Sequence, residues 1–309
     1  MSEAASRVDG RGAAALLALV MGALAMGISP IFVRAADVGP FASAFWRVLL
    51  ALPALWLWMR LSERGGTPQR RFSLPVVLAG LAFTGDLLFW HSAILHTSVA
   101  NATFFATTAP IWVVAFGWIL FGEKAGREIL FGLALCLIGG AALLAQSFRL
   151  RPEGVLGDGF GIATGVFFGL YFLAVEAARR QTSAAQVTFE ASVVTAAGLW
   201  LAAVVAEGKL APSSVKGALA LLGMAWVSHA GGQGLLSIAL GRLPANFSSL
   251  VIFLEAVAAA LFAYLLLGEP ISPTQGFGGL LIMAGIYVAR PRRTFAAANS
   301  HAKGSPPRP

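Results

Sequence analysis

The stretch FGWILFGEKAGREILFGLALCLIG, residues 116–139, returns as FAYLLLGEPISPTQGFGGLLIMAG, residues 262–285, at a constant offset of 146. Eight of the 24 aligned positions are identical: Phe116/Phe262, Leu120/Leu266, Gly122/Gly268, Glu123/Glu269, Phe131/Phe277, Gly132/Gly278, Leu135/Leu281 and Gly139/Gly285. In so apolar a composition chance supplies roughly two or three, so the chain is read as an internal duplication. Duplication within an apolar chain points to a carrier built from structural repeats.

Working outward, the whole chain is as apolar as this stretch. Of 309 residues, 58% are hydrophobic and only 12% charged, and the mean hydropathy is +0.78. Soluble domains carry about a quarter charged residues, so the fold class is an all-α integral membrane protein. The net charge of +8 does not signal nucleic acid, because the basic residues are scattered between apolar runs rather than gathered in one patch. The single cysteine, Cys136, permits no intrachain disulfide and no C-x-x-C site. The first apolar run, from Ala13, has no A-x-A-like exit, and is expected to be a retained span rather than a cleaved signal.

Windows of about 20 residues give ten spans, near 13–33, 40–59, 74–95, 98–121, 127–147, 158–178, 187–206, 215–239, 244–267 and 275–290. With the N-terminus cytoplasmic, 16 of the 22 Lys and Arg fall in inside segments and five outside (Arg34, Arg149, Arg151, Lys209, Lys216), with Arg47 inside a span. That bias predicts both termini in the cytoplasm. Five spans per half is odd, so the second half enters the membrane with opposite sense: ten transmembrane helices as two inverted five-helix repeats. The expected organisation is a tail over 1–12, a first repeat over 13–147, a connector over 148–157, a second repeat over 158–290 and a basic tail over 291–309.

The pattern TSVANATFFATTAPIWVVAFGWILFGE (97–123) and its counterpart GRLPANFSSLVIFLEAVAAALFAYLLLGE (241–269), each followed by a Gly-containing span, resemble the EamA-type repeat of the drug/metabolite transporter superfamily. The likeness covers about residues 13–290. Two positions depart from the family pattern: Met26 stands where Trp is frequent, and Ala256 where Pro commonly follows Glu255. The resemblance implies a ten-span carrier in a bacterial inner membrane, exporting or, less often, taking up small organic solutes such as amino acids or other metabolites. It does not choose the solute.

An ionisable side chain at the bilayer centre costs about 2.5–3.5 kcal/mol on insertion scales, so each needs a protein-facing reason. Arg47 in span two either binds a substrate carboxylate or pairs with Asp86 or Glu255. On span three Asp86, Trp90 and Ala93 share a face, where Trp90 stacks a substrate or simply packs; His91 points about 140° away at helical spacing. Span four offers Asn101, Phe105, Thr108 and Trp112 on one stripe, span six Tyr171, and span eight His229, Gln233 and Ser237 at i, i+4 and i+8, read as the best cavity wall. Glu190 and Glu255 are the candidates for proton coupling. Glu123 and Glu269, at the G-E ends of their spans, are expected to serve amides near the next helix start. Gly132, Gly139, Gly278 and Gly285 are expected at close helix contacts.

Rival functions lack their motifs. There is no H-E-x-x-H, no G-x-S-x-G and no Walker A sequence, and nothing resembles a selectivity filter. The reading is a secondary transporter with a small-molecule substrate and the lipid bilayer as partners, no cofactor and no metal; a solute channel and, behind it, an intramembrane enzyme are the alternatives.

Overall fold

The computed structural model describes residues 2–63, 71–97, 99–145, 154–268 and 270–291. They form α1 (Ser2–Gly27), α2 (Ser29–Ala35), α3 (Pro40–Leu49), α4 (Leu52–Ser62), α5 (Leu74–His96), α6 (Val99–Ala106), α7 (Ala109–Phe121), α8 (Arg127–Leu144), α9 (Val155–Arg179), α10 (Ala184–Ala206), α11 (Val215–Gly223), a π-helix (Met224–Gln233), α12 (Gly234–Leu240), α13 (Ala245–Val251), α14 (Phe253–Leu267) and α15 (Pro273–Ala289). Every described element is helical. In hydrocarbon a helix satisfies its own amides, which an open strand cannot do.

Eight stretches are long and apolar enough to cross a membrane: Gly12–Val33, Pro40–Ser62, Leu74–His96, Ala102–Phe121, Arg127–Leu144, Val155–Arg179, Ala184–Ala206 and Ala245–Leu266. Their outward faces stay apolar, with Leu74 70% and Leu265 62% exposed, as a lipid-facing surface requires. Pro273–Ala289 is shorter, and the stretch 215–240 is interrupted by the π-helix.

Several spans expected to be continuous are broken. Pro30, Pro53 and Pro110 each sit at the first or second position of a new helix, where the missing N–H and fixed φ are harmless, so the chain restarts at α2, α4 and α7. The break between α13 and α14 at Ile252 needs no proline, and it lies 146 residues beyond Ala106, where α6 ends. Helix boundaries therefore repeat at the sequence offset: α6 and α7 run over 99–121, α13 and α14 over 245–267.

The most faithful part of the duplication has a simple cause. Gly122 and Gly268 are the C-caps of α7 and α14, at φ 69° and 70°, a left-handed conformation that a Cβ would strain. The Glu123 N–H then reaches back to the Gly117 carbonyl at 3.0 Å. Its carboxylate faces Arg180 at 3.8 Å rather than the next helix start, and Glu269 lies outside the described residues.

Glycine also sets the tightest seam. A Cβ on Gly132 would lie 2.6 Å from the Gly285 carbonyl, and one on Gly278 would lie 2.5 Å from the Gly139 carbonyl. At the 146 offset these two contacts are each other's counterparts, with α8 and α15 running antiparallel. Between them Cys136 Sγ lies 3.7 Å from the carbonyl of Ile282, its own counterpart, so the seam turns about that point.

Polar ties join the two halves at the helix ends. Glu207, beyond α10, accepts the Phe41 and Ala42 N–H groups at 2.7 and 2.9 Å, capping α3 from another part of the chain. Beside it Asp37 Oδ2 accepts the Ser213 hydroxyl at 2.8 Å and the Ser213 N–H at 3.0 Å. The Ser213 hydroxyl bond, more than any other contact, holds the Asp37 carboxyl below its ordinary range.

Candidate functional site

A cavity of about 90 Å³, counted as space open to water centres, lies among α1, α2, α3, α5, α6, α9, the π-helix, α14 and the break ahead of α14. One water needs roughly 10–15 Å³ on that measure, so the space holds several waters or a small organic group. Its lining is Met26, Ser29, Pro30, Arg47, Phe83, Asp86, Leu87, Trp90, Thr103, Ala106, Thr107, Thr164, Phe168, Gln233, Ile252, Glu255, Ala256 and Ala259.

The broken helices explain why polar groups reach it. The restart at Pro30 leaves Ser29 4% exposed, and its hydroxyl accepts a long, 3.5 Å hydrogen bond from Arg47 Nη1. Arg47 itself is 8% exposed, and its Nε has no partner. No carboxylate oxygen comes within 4.0 Å of the guanidinium among the described residues. Asp86 and Glu255 instead stand back, close enough to act on Arg47 electrostatically, and all three side chains line the cavity. The ion pair expected as one reading of Arg47 is therefore not formed.

Gln233 is the last residue of the π-helix and is 2% exposed. Its amide nitrogen approaches Met26 Sδ at 3.4 Å, a weak acceptor, and its Oε1 has no partner. Buried polar atoms without partners are rare and costly, about 1–3 kcal/mol each. Here two of them, Arg47 Nε and Gln233 Oε1, belong to side chains that line the same cavity.

The structure thus brings Arg47, Asp86, Trp90, Gln233 and Glu255 together and places the other sequence candidates elsewhere. His91 bonds through Nδ1 to the Leu87 carbonyl at 2.7 Å on its own helix. His229 lies at 2.9 Å from Ser192 on α10 and stacks on Phe83 at 5.6 Å, while Tyr171 meets the same Phe83 ring at 4.8 Å. Both back a cavity-lining ring without lining the cavity. Ser237 reaches the Ala184 carbonyl at 3.4 Å. His229 and Gln233 do not share one wall because the turn between them is π, and spacing of i, i+4 no longer keeps their side chains in register.

The span-four stripe is displaced as well. Phe105, Thr108 and Trp112 press onto Gly161, Gly165 and Gly169 of α9, where Cβ atoms would meet their side chains. That ladder of small residues draws one face of α6 and α7 into a helix contact and turns Thr103 and Thr107 toward the cavity instead. The glycine spacing G-x-x-x-G-x-x-x-G over 161–169 was the sequence signal for this. The Asn101 side chain lies outside the described residues.

Glu190 is fully buried on α10, away from the cavity. Its Oε2 accepts the Phe72 N–H at 2.7 Å and its Oε1 accepts the Gln186 amide at 3.0 Å. Phe72 has φ 48°, unusual for a bulky residue, so Glu190 pins a strained turn ahead of α5.

Comparison with known proteins agrees with this architecture. Residues 13–145 and 155–290 each match the EamA-like transporter family. The chain is 27% identical over 274 residues to an uncharacterized transporter of Archaeoglobus fulgidus, covering 88% of this chain and 94% of that one. It is 26% identical over 289 residues to an uncharacterized transporter of Helicobacter pylori, covering 88% and 93%. A crystal structure with 22% sequence identity superposes with a TM-score of 0.79 over 90% of this chain and 97% of the other, a likeness of fold.

Proposed function

Because the chain belongs to the EamA-like transporter family, we propose that it is a secondary transporter that exports small organic solutes, amino acids or other metabolites, across the cytoplasmic membrane by alternating access. The observation that carries this reading is the cavity itself, lined by one guanidinium with an unpartnered Nε and by two carboxyls. Arg47 supplies a fork for a carboxylate, Asp86 and Glu255 receive an ammonium, and Phe83, Trp90 and Phe168 cover an apolar body. A zwitterion with one carboxylate, one amine and an apolar side chain complements that set.

Ten spans arranged as two inverted repeats, 13–147 and 158–290, with both termini cytoplasmic, complete the proposal. The reciprocal glycine contacts of α8 and α15 support it, as does the π-containing stretch over 215–240 acting with its flanks as the eighth span. A reporter fused after Glu123 should score cytoplasmic and one after Glu269 periplasmic; equal scores would sink the inverted arrangement.

Glu255 is the proposed coupling group. One guanidinium facing two carboxyls leaves the cavity balanced when a single proton is held, and a charge at this depth demands balance. Purified protein in proteoliposomes, screened against amino acids and common metabolites, should give saturable and counter-stimulated flux. Linear conductance would favour the channel reading. Glu255→Gln vesicles that still follow an imposed pH gradient would exclude Glu255 as the coupling site.

A further inference from the structure

At the end of α9, where α12 turns into α13, lies a second recess, about 300 Å³ on the same measure and open to solvent. Three arginines border it, Arg179, Arg180 and Arg242, with Glu176 as the one carboxylate in its wall. The acids nearby are already engaged. Glu176 lies within electrostatic reach of Arg180, and Glu123 lies 3.8 Å from Arg180. Arg179 donates through Nε to the Ser237 carbonyl at 2.8 Å and through Nη1 to the Thr182 carbonyl, closing the end of α12. A Cβ at position 241 would collide with the Arg179 guanidinium, so Gly241 keeps the space it occupies.

Arg242 is left without a carboxylate partner among the described residues, within electrostatic reach of Arg179. Two adjacent guanidiniums repel, and the wall around them holds spare N–H donors and too little negative charge. As topology signals these arginines would need only to sit in a loop; convergence on one recess calls for a ligand. A phosphate group matches it, being compact, anionic and able to take forked hydrogen bonds from more than one arginine. The recess also lies at the end of a helix long and apolar enough to span a membrane, beside Leu240, Leu243 and Pro244, where an anionic headgroup would be met.

We propose that Arg179, Arg180 and Arg242 form a binding site for a phosphate group, supplied by an anionic phospholipid headgroup or by free phosphate. The test uses the full chain in neutral detergent with phosphatidylglycerol, phosphatidylcholine or inorganic phosphate, read by native mass spectrometry and by the unfolding midpoint. The parent should retain phosphatidylglycerol roughly tenfold over phosphatidylcholine, and Arg242→Gln should bring the two near parity. Arg242→Lys should keep an intermediate preference. Inorganic phosphate that raises the midpoint and displaces the lipid supports the site as a phosphate site; phosphatidylglycerol binding that phosphate leaves untouched supports it as a lipid site. Equal retention of both lipids by the parent would overturn the proposal, as would undiminished phosphatidylglycerol retention by Arg242→Gln. Should Arg242→Gln fail to fold, the parent decides alone: raised salt must weaken phosphatidylglycerol retention, and indifference to salt overturns the site.

Discussion

Two helix pairs occupy corresponding places in the duplication and have diverged to different degrees. α8 and α15 meet through glycines that answer one another across the 146 offset, and Cys136 touches its own counterpart Ile282. α5 and the π-containing span also touch through counterparts, since Phe83 stacks on His229 at the same offset. There the likeness stops. α5 is one continuous α-helix carrying Asp86 and Trp90; its partner widens into a π-helix and delivers Gln233. Packing that has only to hold keeps its symmetry, because any added Cβ on either side meets backbone. The pair that borders the cavity has lost it, and its polar groups come from unlike positions.

The largest effect should fall on the asymmetric side. Arg47→Gln removes the cavity's cation and leaves a shorter, neutral polar side chain. Loss of a charge-assisted contact worth about 2–3 kcal/mol lowers solute affinity roughly a hundredfold. Flux into proteoliposomes would measure this, with the unfolding midpoint unchanged or raised, since Arg47 has an unpartnered buried Nε to lose. An intact flux would separate the cavity from transport.

On the symmetric side, Gly132→Ala and Gly278→Ala are counterpart substitutions and should cost alike, about 1–3 kcal/mol each from overpacking. The check is a matched fall in the unfolding midpoint of the two variants. A cost at one position and none at the other would break the equivalence of the two halves of the seam.

Between these lies the π-helix. Deleting Gly231 shortens the widened stretch by one residue and turns Gln233 relative to α11. Flux should fall about tenfold, near 1.4 kcal/mol, with the α8–α15 seam undisturbed. Flux equal to the parent would mean that the α-helical geometry of α5 serves equally well in its partner.

These contrasts also explain what could be read from the chain. The apolar runs, the duplication and the G-E motifs are local signals, and Gly122 and Gly268 repeat because each caps a helix in the same left-handed conformation. Arg47, Asp86, Gln233 and Glu255 are legible because charge or amide at membrane depth needs a protein-facing cause, and Trp90 because it shares a helix face with Asp86. α-Helical spacing groups His229 with Gln233, and the π-helix that joins them does not obey it. Thr103 and Thr107 were passed over for Phe105 and Thr108 because the facing surface, the α9 glycine ladder, belongs to a distant part of the chain. Glu190 looked like Glu255 in sequence, since nothing local announces the strained amide of Phe72 that it serves.

That last distinction is testable at smaller scale. Glu190→Gln keeps the shape but weakens the bond to Phe72 N–H, and should lower stability by about 1 kcal/mol. Its flux should keep the parent's response to a pH gradient, whereas Glu255→Gln should lose it. A Glu190→Gln variant with altered pH response would move coupling out of the cavity.

The smallest expected effect tests the ties between halves at the helix ends, where Asp37 holds Ser213. The carboxyl is depressed in the folded protein, mainly by the Ser213 hydroxyl, so the unfolded chain binds the proton more readily. By linkage, the stabilisation is complete above the unfolded value of the group and is lost as pH falls through the lower, folded value. Asp37→Asn should therefore unfold slightly below the parent at neutral pH, and the gap should close in acid once Asp37 is protonated. Asp37 is only partly buried, so solvent screens the contact and keeps the gap small. Unfolding midpoints of both proteins across that range would show it, and a gap that widened on acidification would reverse the sign assigned to this tie.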